Sequence, residues 1–435
     1  MSILAPVAAL LLGATLLLAG NGLQSTLLPM RAQLETFSNL SIGVMGSAYF
    51  LGFVGGCLLT NRLVSRVGHI RVFAAMVAGA SAVPLIHVLI IDDFVWWVLR
   101  AATGFCIAAL FLVIESWLNE KAENRTRGSI FSIYTTLNYA AITVGQLLIT
   151  VYDPAYFPLF AIAAVLVSLA AIPVALTGAA APAPLSEVTL RPLYLLRLSP
   201  VGVIGVAAIG MSNGAFWSLG PAFAGGIGLS TTEIAIFMSV TVVGGALSQW
   251  PFGKLSDRVD RRIIIIAGSI MAALAGVGIY LASGWSQAAI PALAFAFGVF
   301  SFPVYALSVA HVNDFITTES FVEVTSGLLL MNGIAAVLGP LIAASTMAQV
   351  GPGGLFLFTS AVYLLLAGFA YLRMTLRAAP ADAQRADFVV VSESVATSTA
   401  GLDPRAEDEF RDEELQQATD ERTEAQTQAE EESRA

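Results

Sequence analysis

The sequence predicts an all-α polytopic membrane protein, with twelve transmembrane helices in two six-helix pseudo-repeats. Three observations predict it. Of 435 residues, 57% are hydrophobic and 12% charged, against roughly 45–50% and 25% in soluble domains. Apolar runs long enough to cross a bilayer recur twelve times. Marker residues of the first six runs return in the last six at a nearly constant offset.

A helix needs about 20 mainly apolar residues to cross the hydrocarbon, because its backbone groups must be satisfied internally. The first six spans fall at about 5–30, 41–63, 71–91, 94–118, 128–151 and 156–177. The second six fall at about 200–223, 233–255, 263–283, 288–310, 324–346 and 353–374. Residues 1–177 thus form an N-terminal bundle and 200–377 a C-terminal one, joined by a polar, Pro-rich linker at 178–199. The first run begins at Ile3 with no basic residue before it and no cleavage site after it, so it reads as a retained helix.

Charge separates body from tail. Residues 378–435 hold 16 acidic and 5 basic residues, while the preceding 377 hold 14 and 16. That tail has too little apolar surface to offset the entropy of ordering, and disorder is expected there. Basic residues in short loops fix the sidedness of the body. With a cytoplasmic N-terminus, fourteen of them (Arg62, Arg66, Arg71, Lys121, Arg125, Arg127 and Arg191 among them) lie inside, and Arg31 alone lies outside. Both termini are therefore expected on the cytoplasmic side.

Several classes are excluded. No basic patch with interleaved aromatics speaks for nucleic acid. Cys57 and Cys106 sit inside apolar runs, and no metal-ligand or cofactor-binding spacing occurs, so no metal and no cofactor is expected. No Walker-type loop appears, which removes ATP as an energy source within this chain. The histidines at 69, 87 and 311 and the absence of a carboxylate pair within a span argue against an intramembrane enzyme. A channel would show rings of repeated polar residues, which are missing.

The repeat is visible by eye. Asn21, Gly22 and Pro29 match Asn213, Gly214 and Pro221 at an offset of 192, as Gly52 matches Gly244 and Arg66 matches Arg258. Further on the offset is 194: Gly104 meets Gly298, Glu120 meets Asp314, Asn138 meets Asn332 and Gly145 meets Gly339. An even number of spans per half gives both halves the same orientation, so an axis along the membrane normal can relate them.

The loop GKLSDRVDRR at residues 253 to 262 resembles the signature of the major facilitator superfamily, and NRLVSRVGHIR at 61 to 71 is a weaker copy in which Ser65 stands for Asp. Arg100 with Gly104 in the fourth span is similar to that family's Arg-containing helix motif. The stretch FLVIESWLNEKAENRTRG, followed by Gly-Gln-Leu in span five, further resembles a bacterial YcaD-like branch. The resemblance implies the major facilitator fold, a multi-pass protein of the bacterial inner membrane, and spans 1, 4, 7 and 10 around a central cavity. It makes a cytoplasmic gate of Arg66, Gly68, Arg71, Gly253, Asp257, Arg258 and Arg262. In that gate Arg258 and Arg262 are expected to pair with Glu115 or Glu120 in one half and with Asp314 in the other.

Ionisable side chains inside a span are costly and so mark function. Arg100 and Glu115 both lie on span four, fifteen residues apart, about 22 Å along the axis and roughly on one face. Arg100 reads as a proton-coupling group, an anchor for an anionic substrate, or a structural ion pair. Glu115 reads as a titrating site or as a partner of Arg66 or Arg127. The neutral cavity candidates are Asn21, Gln24, Ser25, Asn213, Trp217 and Tyr305. Asn138 and Asn332 read as packing residues, and His87 as an interfacial one.

The function expected is secondary active transport of a small solute by alternating access, proton-coupled, by a monomer whose partners are substrate, protons and lipid. Uptake and efflux remain equally open. The competing expectation is a membrane receptor that signals through the acidic tail.

Overall fold

A computed structural model describes residues 7–121, 124–175, 192–315 and 321–376. Most of the expected linker, the whole acidic tail and the side chains of Arg125, Arg127 and Arg191 lie outside the described residues.

The first half holds α1 (Ala8–Leu34), α2 (Asn39–Val67), α3 (His69–Leu89), α4 (Asp93–Lys121), α5 (Asn124–Leu147), and a sixth span broken into α6 (Pro158–Leu169) and α7 (Ala171–Ala175). A short helix, α8 (Pro192–Leu198), leads into the second half. There α9 (Pro200–Gly226), α10 (Thr231–Ser256) and α11 (Arg261–Trp285) are followed by a broken span, α12 (Ile290–Ser301) and α13 (Pro303–Asn313). The helices α14 (Phe321–Val350) and α15 (Gly354–Leu376) complete it.

Helix ends follow local chemistry. Ser38 accepts from the Ser41 N–H, Asp260 from Arg262, and Ser230 forms a reciprocal capping box with Glu233. Helices at the Arg-rich end run past the expected spans, because the polar turns of Arg62 and Arg66 continue α2 to Val67. The connection to α3 is then Gly68 alone, at φ 86°, a left-handed conformation that a Cβ would strain.

Eleven helices among the described residues, with each broken span taken whole, are long and apolar enough to cross a membrane. The expected twelfth, α5, is long enough but does not join them. Its Thr135, Asn138 and Gln146 are buried against protein, while Ser132 and Thr136 are exposed. It packs on α1 within its own half and on α10 of the other.

The repeat is physical as well as sequential. A Cβ on Gly104 would stand 1.9 Å from the Tyr49 carbonyl oxygen, and one on Gly298 2.0 Å from that of Thr241. Tyr49 and Thr241 are related by the same offset of 192 that relates Gly52 to Gly244. The crossing of α2 on α4 is thus rebuilt as α10 on α12. Gly145 against Ala19 and Gly339 against Met211 repeat the crossing of α1 on α5 as that of α9 on α14. Small residues at such crossings let backbones touch where no hydrophobic force acts between helices.

The halves meet through α2 with α14 and α9, α1 with α9, and α5 with α10. That seam is unequal along its length. At the end opposite the Arg-rich loops, Gly43 lies against Pro340 and Ala344, and Gly46 against Ser218. Gln33 of α1 donates there to the Ala222 carbonyl of α9 at 2.6 Å. Leu27, Leu28, Met30, Ile42 and Met45 share one buried cluster with the second-half core. Toward the Arg-rich end, Leu10 to Leu18 and Ile107 to Leu118 form a separate cluster, which the second half reaches through Leu329. The apolar contact between halves is continuous at one end and divided at the other.

Substituting Gly104→Val drives a side chain into the Tyr49 carbonyl and should cost about 1–3 kcal/mol or more. Gly55→Ala, whose nearest neighbour is Phe105 at an ordinary 3.9 Å, should leave stability unchanged. Thermal unfolding of the purified protein checks both.

Candidate functional site

Between the halves lies a cavity of about 150 Å³. Helices α1, α2, α4 and α5 supply one wall, and α9, α13 and α14 with Phe302 supply the other. Leu18, Asn21, Gly22 and Ser25 line it from α1 at helical spacing. Gln24 does not. It stands about 110° off that face, is 1% exposed, and neither amide atom has a hydrogen-bond partner. The sequence expectation for Gln24 is therefore corrected, while Asn21, Ser25, Arg100, Asn213, Trp217 and Tyr305 all reach the wall.

Span ten reaches it through a break. Pro303 has no N–H to continue the ladder, so α12 ends at Ser301 and α13 restarts at Pro303. Phe302 at the joint and Tyr305 one turn on both face the cavity. Trp217 packs against Phe302 with ring centroids 6.2 Å apart.

Arg100 is the charged residue of this wall. It is 8% exposed, and its guanidinium carbon lies 4.3 Å from the Tyr49 ring centroid. Its Nε and Nη1 have no hydrogen-bond partner among the described residues. The contact with Tyr49 follows from Gly52 and Gly104, which bring α2 and α4 together. Among the described residues no acidic residue lines the cavity, so the structural ion pair considered for Arg100 has no partner in that wall.

Sequence reading missed Tyr49, Phe50 and Phe53 of α2, Tyr139 of α5 and Asn332 of α14. A signal existed for the first three: three aromatics within five residues, beside a repeat-marked glycine, Gly52. For Asn332 the signal pointed elsewhere, since its repeat mate Asn138 is buried off the cavity.

Glu115 is fully buried and accepts from the Tyr134 hydroxyl at 3.5 Å. It lies one turn beyond Phe111, which lines the cavity, but does not line it itself. Arg66, one partner expected for Glu115, is exposed with no ion pair described. His87 is buried, with Nδ1 2.9 Å from the Val83 carbonyl and its ring 5.2 Å from Trp96.

At the Arg-rich end of the second half the expected pairing shifts by residue. Arg261 meets Asp314 at 3.3 Å and also lies 3.6 Å from Asp257. Arg262 pairs with Asp260 at 2.7 Å. Because Asp260 caps α11 and holds Arg262, the preceding Arg261 turns inward to α13. Arg258 and Arg71 are exposed, and Gly253 is buried, its carbonyl accepting from Ser256 and Asp257. Burial pushes the Asp260 carboxyl up, but the side-chain and backbone donations of Arg262 and its charge outweigh that, holding it below the usual carboxylate range.

Comparison with known proteins decides the family. The model of the Major Facilitator Superfamily matches residues 10–319 and 202–406. The chain belongs to that superfamily. It is 28% identical over 381 residues to the "Uncharacterized MFS-type transporter YcaD" of Escherichia coli O17:K52:H18 (strain UMN026 / ExPEC), covering 86% of this chain and 95% of that one. An MFS-type transporter of Enterobacter sp. (strain 638) is 29% identical over 378 residues, with 86% and 96% covered. Among solved structures, a mutant of the nucleoside transporter NupG aligns with TM-score 0.72 at 13% identity, over 85% of this chain and 99% of that one. A bacterial homolog of the lysosomal transporter Spinster, inward-facing and occupied, aligns with TM-score 0.69 at 16% identity, over 87% and 97%. This superfamily member is a multi-pass membrane transporter and not an enzyme, and the family favours transport over the signalling reading.

Two outcomes follow at the Arg-rich end. Asp314→Asn leaves buried Arg261 with Asp257 as its remaining described carboxylate and should destabilise by about 1–3 kcal/mol, whereas Arg261→Met with Asp314→Leu should recover part of the loss. The unfolding midpoints of the single and double variants check this. The depressed Asp260 carboxyl contributes stability present above its unfolded value and lost as pH falls through the folded one. Asp260→Asn should therefore lower the midpoint at neutral pH, and the gap to the parent should close on acidification.

Proposed function

We propose that this protein is a secondary transporter of the bacterial inner membrane that moves a small solute by alternating access, driven by protons. The observation that carries the reading is the central cavity, built from both halves, shut at one end of the seam and holding a buried charge. The positive-inside bias supports placing the Arg-rich end and both termini in the cytoplasm. The conformation described is then closed to the outside and parted toward the cytoplasm.

In the alternate state the seam parts at the outer end and the cytoplasmic loops come together. Arg66, Gly68, Arg71, Gly253, Asp257, Arg258 and Arg262 are the proposed gate. Rigid-body rocking of halves suits a core whose inter-half contact is already divided along its length.

A guanidinium does not release its proton in a protein, so Arg100 serves as a fixed charge in the cavity. Glu115 is then the proton site, buried beside Tyr134 and one turn from the cavity wall. A proton there changes the charge of the first half and biases the two states.

Reconstitution into proteoliposomes tests this. Solute flux should rise with an imposed pH gradient in the parent. Glu115→Gln should lose gradient-driven accumulation at least tenfold while keeping solute exchange. Flux indifferent to the gradient, or unchanged in Glu115→Gln, contradicts proton coupling through this carboxylate.

A further inference from the structure

Resting on the transport reading for its purpose, the chemistry of the cavity carries a substrate class. We propose that the cavity takes a compact organic monocarboxylate with a one-ring apolar body, its carboxylate on Arg100.

The anion follows from Arg100. More than nine-tenths of it is buried, and two of its N–H-bearing nitrogens, Nε and Nη1, have no hydrogen-bond partner among the described residues. A buried charge without a counter-charge is unfavourable. Among the described residues the wall supplies no carboxylate, and Tyr49 offers only a ring face, which attracts the cation without accepting its hydrogen bonds. The ligand is the remaining source of a counter-charge. Charge-assisted bonds to a carboxylate are what free guanidinium donors match best.

A single charge follows from the count. Arg100 is alone among the described lining residues in being charged. A monoanion brings the closed site to neutrality, while a phosphate ester would leave negative charge in a low-dielectric interior. A cationic ligand would place like charges together.

The body of the ligand follows from the rest of the wall. Phe50, Phe53, Trp217, Phe302 and Tyr305 present aromatic surface, suited to stacking on a ring. The volume of about 150 Å³ is the size of an engineered cavity that binds benzene. On α14, Asn332 is buried with an amide oxygen that has no partner. It suits a hydroxyl on the ring, and it engages the second half while the carboxylate engages the first. A ligand held at both ends bridges the two halves.

Equilibrium binding to the purified protein in nanodiscs tests the class. The probes are benzoate, 4-hydroxybenzoate, benzamide, benzylamine and phenyl phosphate. Benzoate should bind at least tenfold tighter than its neutral isostere benzamide, and tighter than phenyl phosphate, with benzylamine not binding. The hydroxyl of 4-hydroxybenzoate should add affinity that Asn332→Ala removes. Arg100→Gln should abolish the preference for benzoate over benzamide, and Arg100→Lys should retain part of it. Equal binding of benzoate and benzamide overturns the inference, as does a preference surviving in folded Arg100→Gln or no binding by any probe. The comparison among probes on the parent protein needs no variant, so misfolding of Arg100→Gln does not rescue the idea. Flux is read separately: benzoate binding without flux sinks the transport reading and leaves the cavity chemistry standing.

Discussion

A guanidinium held in an apolar interior, with no carboxylate among the described residues of its cavity wall, is the constraint around which the site is organised. Arg100 can occupy that place because Tyr49 lies over it, and Tyr49 lies there because Gly52 and Gly104 let α2 and α4 touch backbone to backbone. Sequence, packing and electrostatics meet in that one crossing. Its counterpart in the second half, built on Gly244 and Gly298, keeps the backbone contact and carries Thr241 in place of Tyr49. The repeat thus supplied a scaffold twice and a charge once.

The same asymmetry marks the Arg-rich end. Arg261, Asp314, Asp257, Asp260 and Arg262 form a network of ion pairs in the second half. The first-half position matching Arg261 at the offset of 192 is His69, whose Nε2 meets Ser116 at 3.4 Å. A guanidinium on a carboxylate is exchanged for an imidazole on a hydroxyl, so the two halves hold their loops with unequal strength. Each half can then remain a rigid body while the seam between them, sealed at one end by Gln33, Gly43 and Gly46, is the part free to change.

Much of this was legible in the sequence because membranes impose simple rules. Long apolar runs marked the helices, and spaced glycines and asparagines marked the repeat before any contact was known. Six of the seven cavity candidates reach the wall, since polar residues on spans 1, 4, 7 and 10 are expensive unless they face a cavity or a neighbour. Gln24 failed because composition alone does not give its angle on α1 relative to Asn21 and Ser25. The α2 aromatics and Tyr139 were missed because an aromatic in a span looks the same facing lipid or cavity. The pairing of Arg261 depended on where α11 restarts, and that is set by the Asp260 cap and not by the run of basic residues. The polarity of α5 lowered its hydropathy for a reason only packing reveals, its burial against α1 and α10.

The central claim is that the two ends of the seam open in opposition about the Arg100 cavity. Spin-label distances read it directly, with one pair at exposed Leu40 and Val350 and another at exposed Val67 and Leu255. On binding of a carboxylate or on acidification, the Leu40–Val350 distance should lengthen while the Val67–Leu255 distance shortens. Both distances growing together, or neither moving under any condition that supports flux, would contradict the account.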